Sequence, residues 1–172
     1  SHPRPKELIA MITWDQPYPS RRRPVLAANV VATSQPLAAQ AGLQMLHDGG
    51  NAVDAALAAA MALTVLEPIS CGIGGDLFAI VWDGKKLHGL NASGRSPAAW
   101  TPEYFARHKT MPTKGWDAIN VPGVVSGWTT LSEKFGQLPL EKLCKPAANY
   151  ATEGFPVSPG IAFDWANHGI PN

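Results

Sequence analysis

The stretch VVATSQPLAAQAGLQMLHDGGNAVDAALAAAMALTVLEPISCGIGGDLF, residues 30–78, decides how this chain folds. Apolar residues recur near helical spacing over 37–47, and Pro36 suits the first turn of such a helix, since its missing N–H would have no partner there. Gly49 and Gly50 then predict the end of the helix, because glycine adopts the left-handed cap conformation at little cost.

A second helix is predicted directly after the glycine pair, over Ala52–Leu66. Asn51 is a good N-cap residue, and Asp54 lies in the first turn, near the positive end of the helix dipole. Alanine on nearly every face allows neighbours to approach closely, which predicts a central helix that is buried all round. The turn CGIGGD at 71–76 then leads into a strand.

The flanking segments predict an α+β chain. Residues 1–24 are rich in proline and arginine and predict an extended N-terminal arm, whereas the apolar segment 25–33 predicts a buried strand. An Asp-Gly turn between strands at 77–82 and 86–91 predicts a β-hairpin. Further helices are predicted at 102–108, Val124–Phe135, Leu140–Glu153 (with a kink or restart at Pro146) and 160–166.

The composition argues against several classes of function. The formal net charge of +1 gives no field that would steer nucleic acid or an anionic membrane. Only 16% of the residues are charged, against roughly 25% in a typical soluble domain. This low fraction favours a subunit that buries surface against a partner, although a Gly- and Pro-rich chain with 16 of each would also show it.

The cysteines and the N-terminus carry little functional signal. Cys71 and Cys144 are too few for a disulfide framework and are predicted to be small buried hydrophobes. No metal-ligand spacing such as CxxC or HExxH occurs, so neither a metal nor another cofactor is expected. Residues 1–24 lack the apolar run of a signal peptide, which favours the cytoplasm over export, and the Ala-rich helix is too short for a membrane span.

The loops on either side of the hairpin hold the candidate binding residues. The GIGGD turn precedes a strand and lacks the context of a nucleotide fingerprint, so it predicts a tight turn packed beneath a neighbouring element. Arg95 lies in a Gly/Ser loop after the second strand, where it could grip a carboxylate with two parallel hydrogen bonds or serve as an ordinary surface arginine. Asp76 could stabilise the turn or contact a substrate.

Several motifs resemble one family. VATSQPLA at 31–38, GGNAVDAA at 49–56 and Glu67-Pro68 followed by GIGG at 72–75 are similar to the large subunit of the gamma-glutamyltranspeptidase family. Similar motifs continue with Val121-Pro122-Gly123 and Gly127, Pro146-Ala147, and GFPVS at 154–158. The resemblance runs from about residue 18 to 163, and the combination of GGNAVDAA with the EP…GIGG spacing is highly specific.

The resemblance implies a fold and a chemistry. The family has the N-terminal-nucleophile hydrolase fold, a four-layer αββα sandwich, of which residues 25–172 would be the helix-rich N-terminal part. A precursor cleaves itself, and the new N-terminal threonine of the small subunit attacks a gamma-glutamyl amide. No catalytic residue is expected in this chain, and its partners would be the rest of the large subunit and the small subunit. Substrate contacts are expected from Arg95, Asp76, Gly74 and Gly75.

One departure from the family pattern affects the expected substrate. Transpeptidases proper carry an Arg-Glu pair after the hairpin, whereas here the arginine of LNASGRSP at 90–97 is displaced by about two positions and has no acidic neighbour. This resembles the transpeptidase-like and cephalosporin-acylase-like branches. The open alternatives are therefore a glutaryl or cephalosporin acylase subunit and a non-catalytic structural fragment.

Overall fold

The structure is a computed structural model that describes residues 26–168. Residues 31–156 form one compact unit, and the described residues 26–30 and 157–168 belong to another. The extended arm predicted for residues 1–24 lies outside the described residues.

The larger unit combines helices with a β-hairpin. Its elements are α1 (Pro36–His47), α2 (Ala52–Leu66), β1 (Leu77–Trp82), β2 (Leu87–Ala92), α3 (Pro102–Phe105), a 3₁₀ turn (Trp116–Ala118), α4 (Val124–Phe135) and α5 (Leu140–Glu153). The second unit contains α6 (Pro159–His168). Among the described residues, no helix has both the length and the hydropathy that crossing a membrane requires.

Most predicted helix boundaries are confirmed. Pro36 occupies the first turn of α1, and Asn51 caps α2 with its side-chain oxygen. Gly49 takes a φ of 88° directly after the C-cap residue Asp48, as the predicted helix end requires. α5 continues through Pro146 without a second start, whereas α3 ends at Phe105, short of the predicted length.

The strand predicted over 25–33 is wrong for its described part. Residues 26–33 form no strand, and the side chains of Leu26 and Val30 are 94% and 57% exposed. An apolar run becomes a strand only when a neighbouring edge supplies hydrogen bonds to its backbone, and none of the described residues pairs with it.

The hairpin is antiparallel, with a register from Leu77 opposite Ala92 to Trp82 opposite Leu87. Asp83 stabilises its turn by accepting hydrogen bonds from the backbone N–H groups of Lys85 and Lys86 at 2.8 and 2.7 Å. The hydrogen bond from His88 and these two backbone bonds lower the pKa of the Asp83 carboxyl to about 2.

The two faces of the hairpin differ in what covers them. The inner face packs against α4, where Leu77 and Ala92 surround Gly127. The outer face, which points away from α4, is apolar and exposed. Its large side chains are exposed by 60% to 76%, and they are Phe78, Ile80, Trp82 and Leu87.

α2 lies at the centre of the hydrophobic core. One cluster joins it to α1, α4 and α5 through Met45, Leu57, Ala58, Met61, Val124, Trp128, Leu131 and Leu143. A second cluster joins it to α1 through Ala38, Ala41, Ala62 and Leu66. The prediction that α2 is buried all round is wrong at Ala52 and Ala56, which are exposed and line a groove of about 470 Å³ beside β1.

The prediction of two buried cysteines is also wrong. Cys71 is half-buried in the turn before β1, and Cys144 is exposed on α5. The sulfur of Cys144 still lies 3.4 Å from the sulfur of Met61, and partial burial raises the pKa of this thiol.

Candidate functional site

Three segments meet where the hairpin joins α4, and we call this meeting point the junction: residues 75–76, 93–95 and 120–124. The carbonyl of Gly75 accepts hydrogen bonds from the N–H groups of Gly123 and Val124 at 3.2 and 3.0 Å. It thereby caps the first turn of α4, which has no side-chain cap. The predicted turn is tight, since the N–H of Gly75 donates to the carbonyl of Gly72 at 3.2 Å. The prediction that it packs beneath a neighbouring element is wrong for residues 72–74, which are exposed.

The loop after β2 is fixed to the same segment. The backbone N–H of Val121 donates to the carbonyl of Arg95 at 3.0 Å. The side-chain amide of Asn120 donates to the carbonyl of Ser93 and, at 3.1 Å, to Oδ1 of Asp76. Main-chain and side-chain hydrogen bonds therefore hold the loop on both sides of Gly94.

Arg95 combines a fixed backbone with a free side chain. Its residue is exposed, and its guanidinium forms no hydrogen bond or ion pair with the described residues. Five N–H donors in a planar fork are therefore open to a ligand, and this geometry suits a carboxylate. The arrangement can therefore recognise an anionic group.

The structure brings together most of the residues that the sequence predicts for the site. Gly75, Asp76 and the backbone of Arg95 all belong to the junction. Gly74 is exposed, and a side-chain carbon built on it would meet nothing within 4 Å, so its packing does not require glycine. Sequence reasoning missed Asn120, and no local pattern marks it, because its two acceptors, Asp76 and Ser93, lie in other segments.

A second polar cluster lies in the segment between β2 and α4. Asp117 accepts hydrogen bonds from the Tyr104 hydroxyl at 2.7 Å and from Arg107 at 2.6 Å, and it lies 2.9 Å from Nε2 of His108. The bonds from Tyr104 and Arg107 lower the pKa of Asp117 to about 2. Because these groups bond to one another, the cluster stabilises the fold of this segment.

Metal binding has no support in residues 26–168. That part of the chain contains no group of three or more His, Cys, Asp or Glu residues arranged to hold an ion.

Comparison with known proteins identifies close relatives. The family model described as gamma-glutamyltranspeptidase matches residues 38–170. The glutathione hydrolase-like YwrD proenzyme of Bacillus subtilis is 39% identical over 132 residues, which cover 75% of this chain and 25% of that protein. The acylase ACY 1 proenzyme of Pseudomonas sp. strain SE83 is 39% identical over 146 residues, covering 77% and 26%.

Solved structures share the fold. Cephalosporin acylase from Bacillus halodurans matches with a TM-score of 0.79 and 46% identity over 94% of this chain and 32% of its own. Helicobacter pylori gamma-glutamyltranspeptidase matches with a TM-score of 0.78 and 30% identity over 85% and 44%. The expected fold class, an α+β part of the N-terminal-nucleophile hydrolase sandwich, is confirmed by these matches.

The curated relatives are longer than this chain. This chain spans about a quarter of the length of the curated relatives that it matches, and those relatives are named as proenzymes. The matched family model covers more than half of the chain, in agreement with the resemblance of its motifs. The chain belongs to the gamma-glutamyltranspeptidase family.

Proposed function

We propose that this chain is the front part of the large subunit of a gamma-glutamyltranspeptidase-like proenzyme. The enzyme would hydrolyse or transfer gamma-glutamyl or related dicarboxylic acyl groups. In this proposal Arg95 binds the free carboxylate of the acyl group. The observation that supports this role is an unpaired, exposed guanidinium on a loop whose backbone is hydrogen-bonded within the junction.

The chemistry would be completed by other parts of the protein. We propose that a threonine at the N-terminus of the small subunit attacks the amide carbonyl, with its own α-amino group as base, so that the amine leaves and an ester forms. Water or an amine acceptor then takes the acyl group from the threonine oxygen. The contribution of this chain is to bind and orient the substrate, which raises the rate by holding the reacting carbonyl in place.

The exposed outer face of the hairpin supports the proposal that this chain binds partner segments. Phe78, Ile80 and Trp82 on β1 lie beside Leu87 on β2, and all four are largely exposed in the described chain. A contiguous apolar surface of this kind marks an interaction site. We propose that the remaining large-subunit segment and the small subunit together cover this face, in agreement with the low charge fraction of the sequence.

Replacing Arg95 with alanine in the full-length proenzyme tests the substrate role. We expect a higher KM and a loss of about 30- to 1000-fold in kcat/KM with gamma-glutamyl-p-nitroanilide, because a charge-assisted contact contributes about 2–4 kcal/mol. Lys114→Ala is the matched control, since it removes an exposed cation from a loop without touching the junction. Equal kinetics for Arg95→Ala and wild type would refute the role of Arg95.

A glutaryl acylase is the second candidate function. It is favoured by the absence of an acidic residue next to Arg95 and by the 46% identity to a protein named cephalosporin acylase. The same assay with glutaryl-p-nitroanilide separates the two candidates, because the better substrate has the higher kcat/KM in the wild-type protein. Activity toward neither anilide, in a processed protein, would favour the non-catalytic alternative.

Introducing a charged side chain on the outer face tests whether partner segments cover it. We expect Ile80→Lys to reduce the yield of folded, self-processed proenzyme at least several-fold, because assembly would bury an unpaired ammonium group. Trp116→Lys is the control, since Trp116 is 87% exposed and stands apart from the hairpin. Size-exclusion chromatography with denaturing mass analysis measures both variants; equal yields would show that the face stays exposed.

A further inference from the structure

We propose that Asn120 is a positioning residue, which fixes the loop of Arg95 against the turn of Asp76 and keeps the guanidinium available for substrate. This inference rests on the proposed function, since it concerns the same binding site.

The geometry of the Asn120 amide fits this role closely. Its Nδ2 carries two hydrogens, and each has an acceptor: Oδ1 of Asp76 at 3.1 Å and the carbonyl oxygen of Ser93. Because both neighbours can only accept, one orientation of the amide satisfies the site. Asn120 and its bond to Ser93 are half-buried, which limits competition from water, whereas the bond to Asp76 is exposed to solvent.

The bonds of Asn120 join segments that are distant in the sequence. Asp76 directly precedes β1, and Ser93 directly follows β2, at separations of 44 and 27 residues from Asn120. Main-chain bonds from Val121 to Arg95 and from Val124 to Gly75 run alongside. The Asn120 side chain therefore links the two strands at the open end of the hairpin. One of its acceptors, Ser93, is only two residues from Arg95 in the sequence.

Asn120 also fixes the orientation of the Asp76 carboxylate. Asp76 is the acidic residue of the junction, yet it forms no ion pair with Arg95 in the described chain. Its Oδ1 is instead held by the Asn120 amide. Without that amide, the Asp76 carboxylate would be free to turn toward the guanidinium and to compete with the substrate carboxylate. This predicts an effect on substrate affinity more than on the chemical step.

The test uses the full-length proenzyme and both anilide substrates. Asn120→Asp places a carboxylate against two acceptors, and we expect KM to rise about 10-fold while kcat changes less than about 3-fold. If the aspartate variant folds poorly, Asn120→Ser replaces it in the test. Serine retains one donor, so this variant should give a smaller rise in KM. Asn149→Asp is the matched control, since Asn149 is exposed on α5.

A double-mutant cycle with Arg95→Ala separates this inference from the proposed function. In the Arg95→Ala background, Asn120→Asp should cause no further rise in KM, because the two residues act through one contact. A full, additive rise in that background would overturn the positioning role while leaving the function intact. If Arg95→Ala itself leaves KM unchanged with both substrates, the proposed function fails, and the role of Asn120 fails with it.

Discussion

Replacing Asp54 with alanine should lower the free energy of unfolding by about 3–5 kcal/mol, a large share of the stability of an ordinary domain. Asp54 is fully buried at the start of α2. Its carboxylate accepts hydrogen bonds from the backbone N–H of Asn51 at 2.8 Å and of Gln137 at 3.1 Å. A longer contact of 3.4 Å joins it to the N–H of Leu138.

The expected loss is large because alanine would leave these partly buried donors without partners. Each unsatisfied buried donor costs about 1–3 kcal/mol, and the capping box with Asn51 would be lost as well. The Asn51 side chain donates to the carbonyl of Phe135 at 2.6 Å, so the same network ties α2 to the end of α4. Removing Asp54 would therefore loosen the connection between α4 and α5.

Urea unfolding of the full-length protein, followed by tryptophan fluorescence, measures this loss. Asp48→Ala is the matched control, because Asp48 pairs with Lys142 at 2.9 Å on the surface, where solvent screens the pair, and its loss should leave the unfolding midpoint near the wild-type value. If both alanine variants unfold at the same urea concentration, Asp54 does not anchor the fold.

The Asp54 network also shows how far the sequence could predict this fold. Asn51 and Asp54 lie three residues apart, so their capping roles follow from local spacing. The bonds that Asp54 accepts from the N–H groups of Gln137 and Leu138 span more than 80 residues. No local pattern encodes such contacts, and the sequence alone therefore predicted a helix start where the structure shows a tertiary anchor.

The same distinction between local and distant causes separates the confirmed elements from the wrong ones. Helices such as α2 and α4 follow from spacing and end signals, which are written into consecutive residues. The strand predicted at 25–33 depends on a partner edge that none of the described residues supplies. All-round burial of α2 likewise depends on how many elements pack around it, which the sequence does not reveal. Ala52 and Ala56 remain exposed in the structure.

The candidate site was only partly predictable for a related reason. Arg95 stands out because a charged residue in a Gly/Ser loop after a strand is a familiar binding position. Asn120 has no such signature, since an asparagine in a loop is ordinary and its two acceptors lie in other segments. The need for glycine at position 94 also has no local signal, because it arises from the close approach of the Val121 carbonyl.

Among glycine-to-alanine substitutions in the junction, Gly94→Ala should be the most disruptive. Gly94 has a φ of +75°, and a Cβ atom built on it would lie 1.7 Å from the carbonyl oxygen of Val121. The obstructing atom belongs to the backbone, so the loop itself would have to move and the hydrogen bond from Val121 to Arg95 would break. We expect a loss of about 2–4 kcal/mol in stability and at least 10-fold in kcat/KM.

Gly84→Ala in the hairpin turn separates steric clash from backbone strain. Gly84 has a φ of +92°, but a Cβ there would meet nothing within 4 Å. It should cost about 1 kcal/mol, which is the strain of a left-handed alanine alone, and leave kcat/KM near the wild-type value. The difference between the two variants then measures the close packing at Gly94. Equal losses of stability would mean that the loop moves freely away from Val121, and a loop that moves so easily could not hold Arg95 in place.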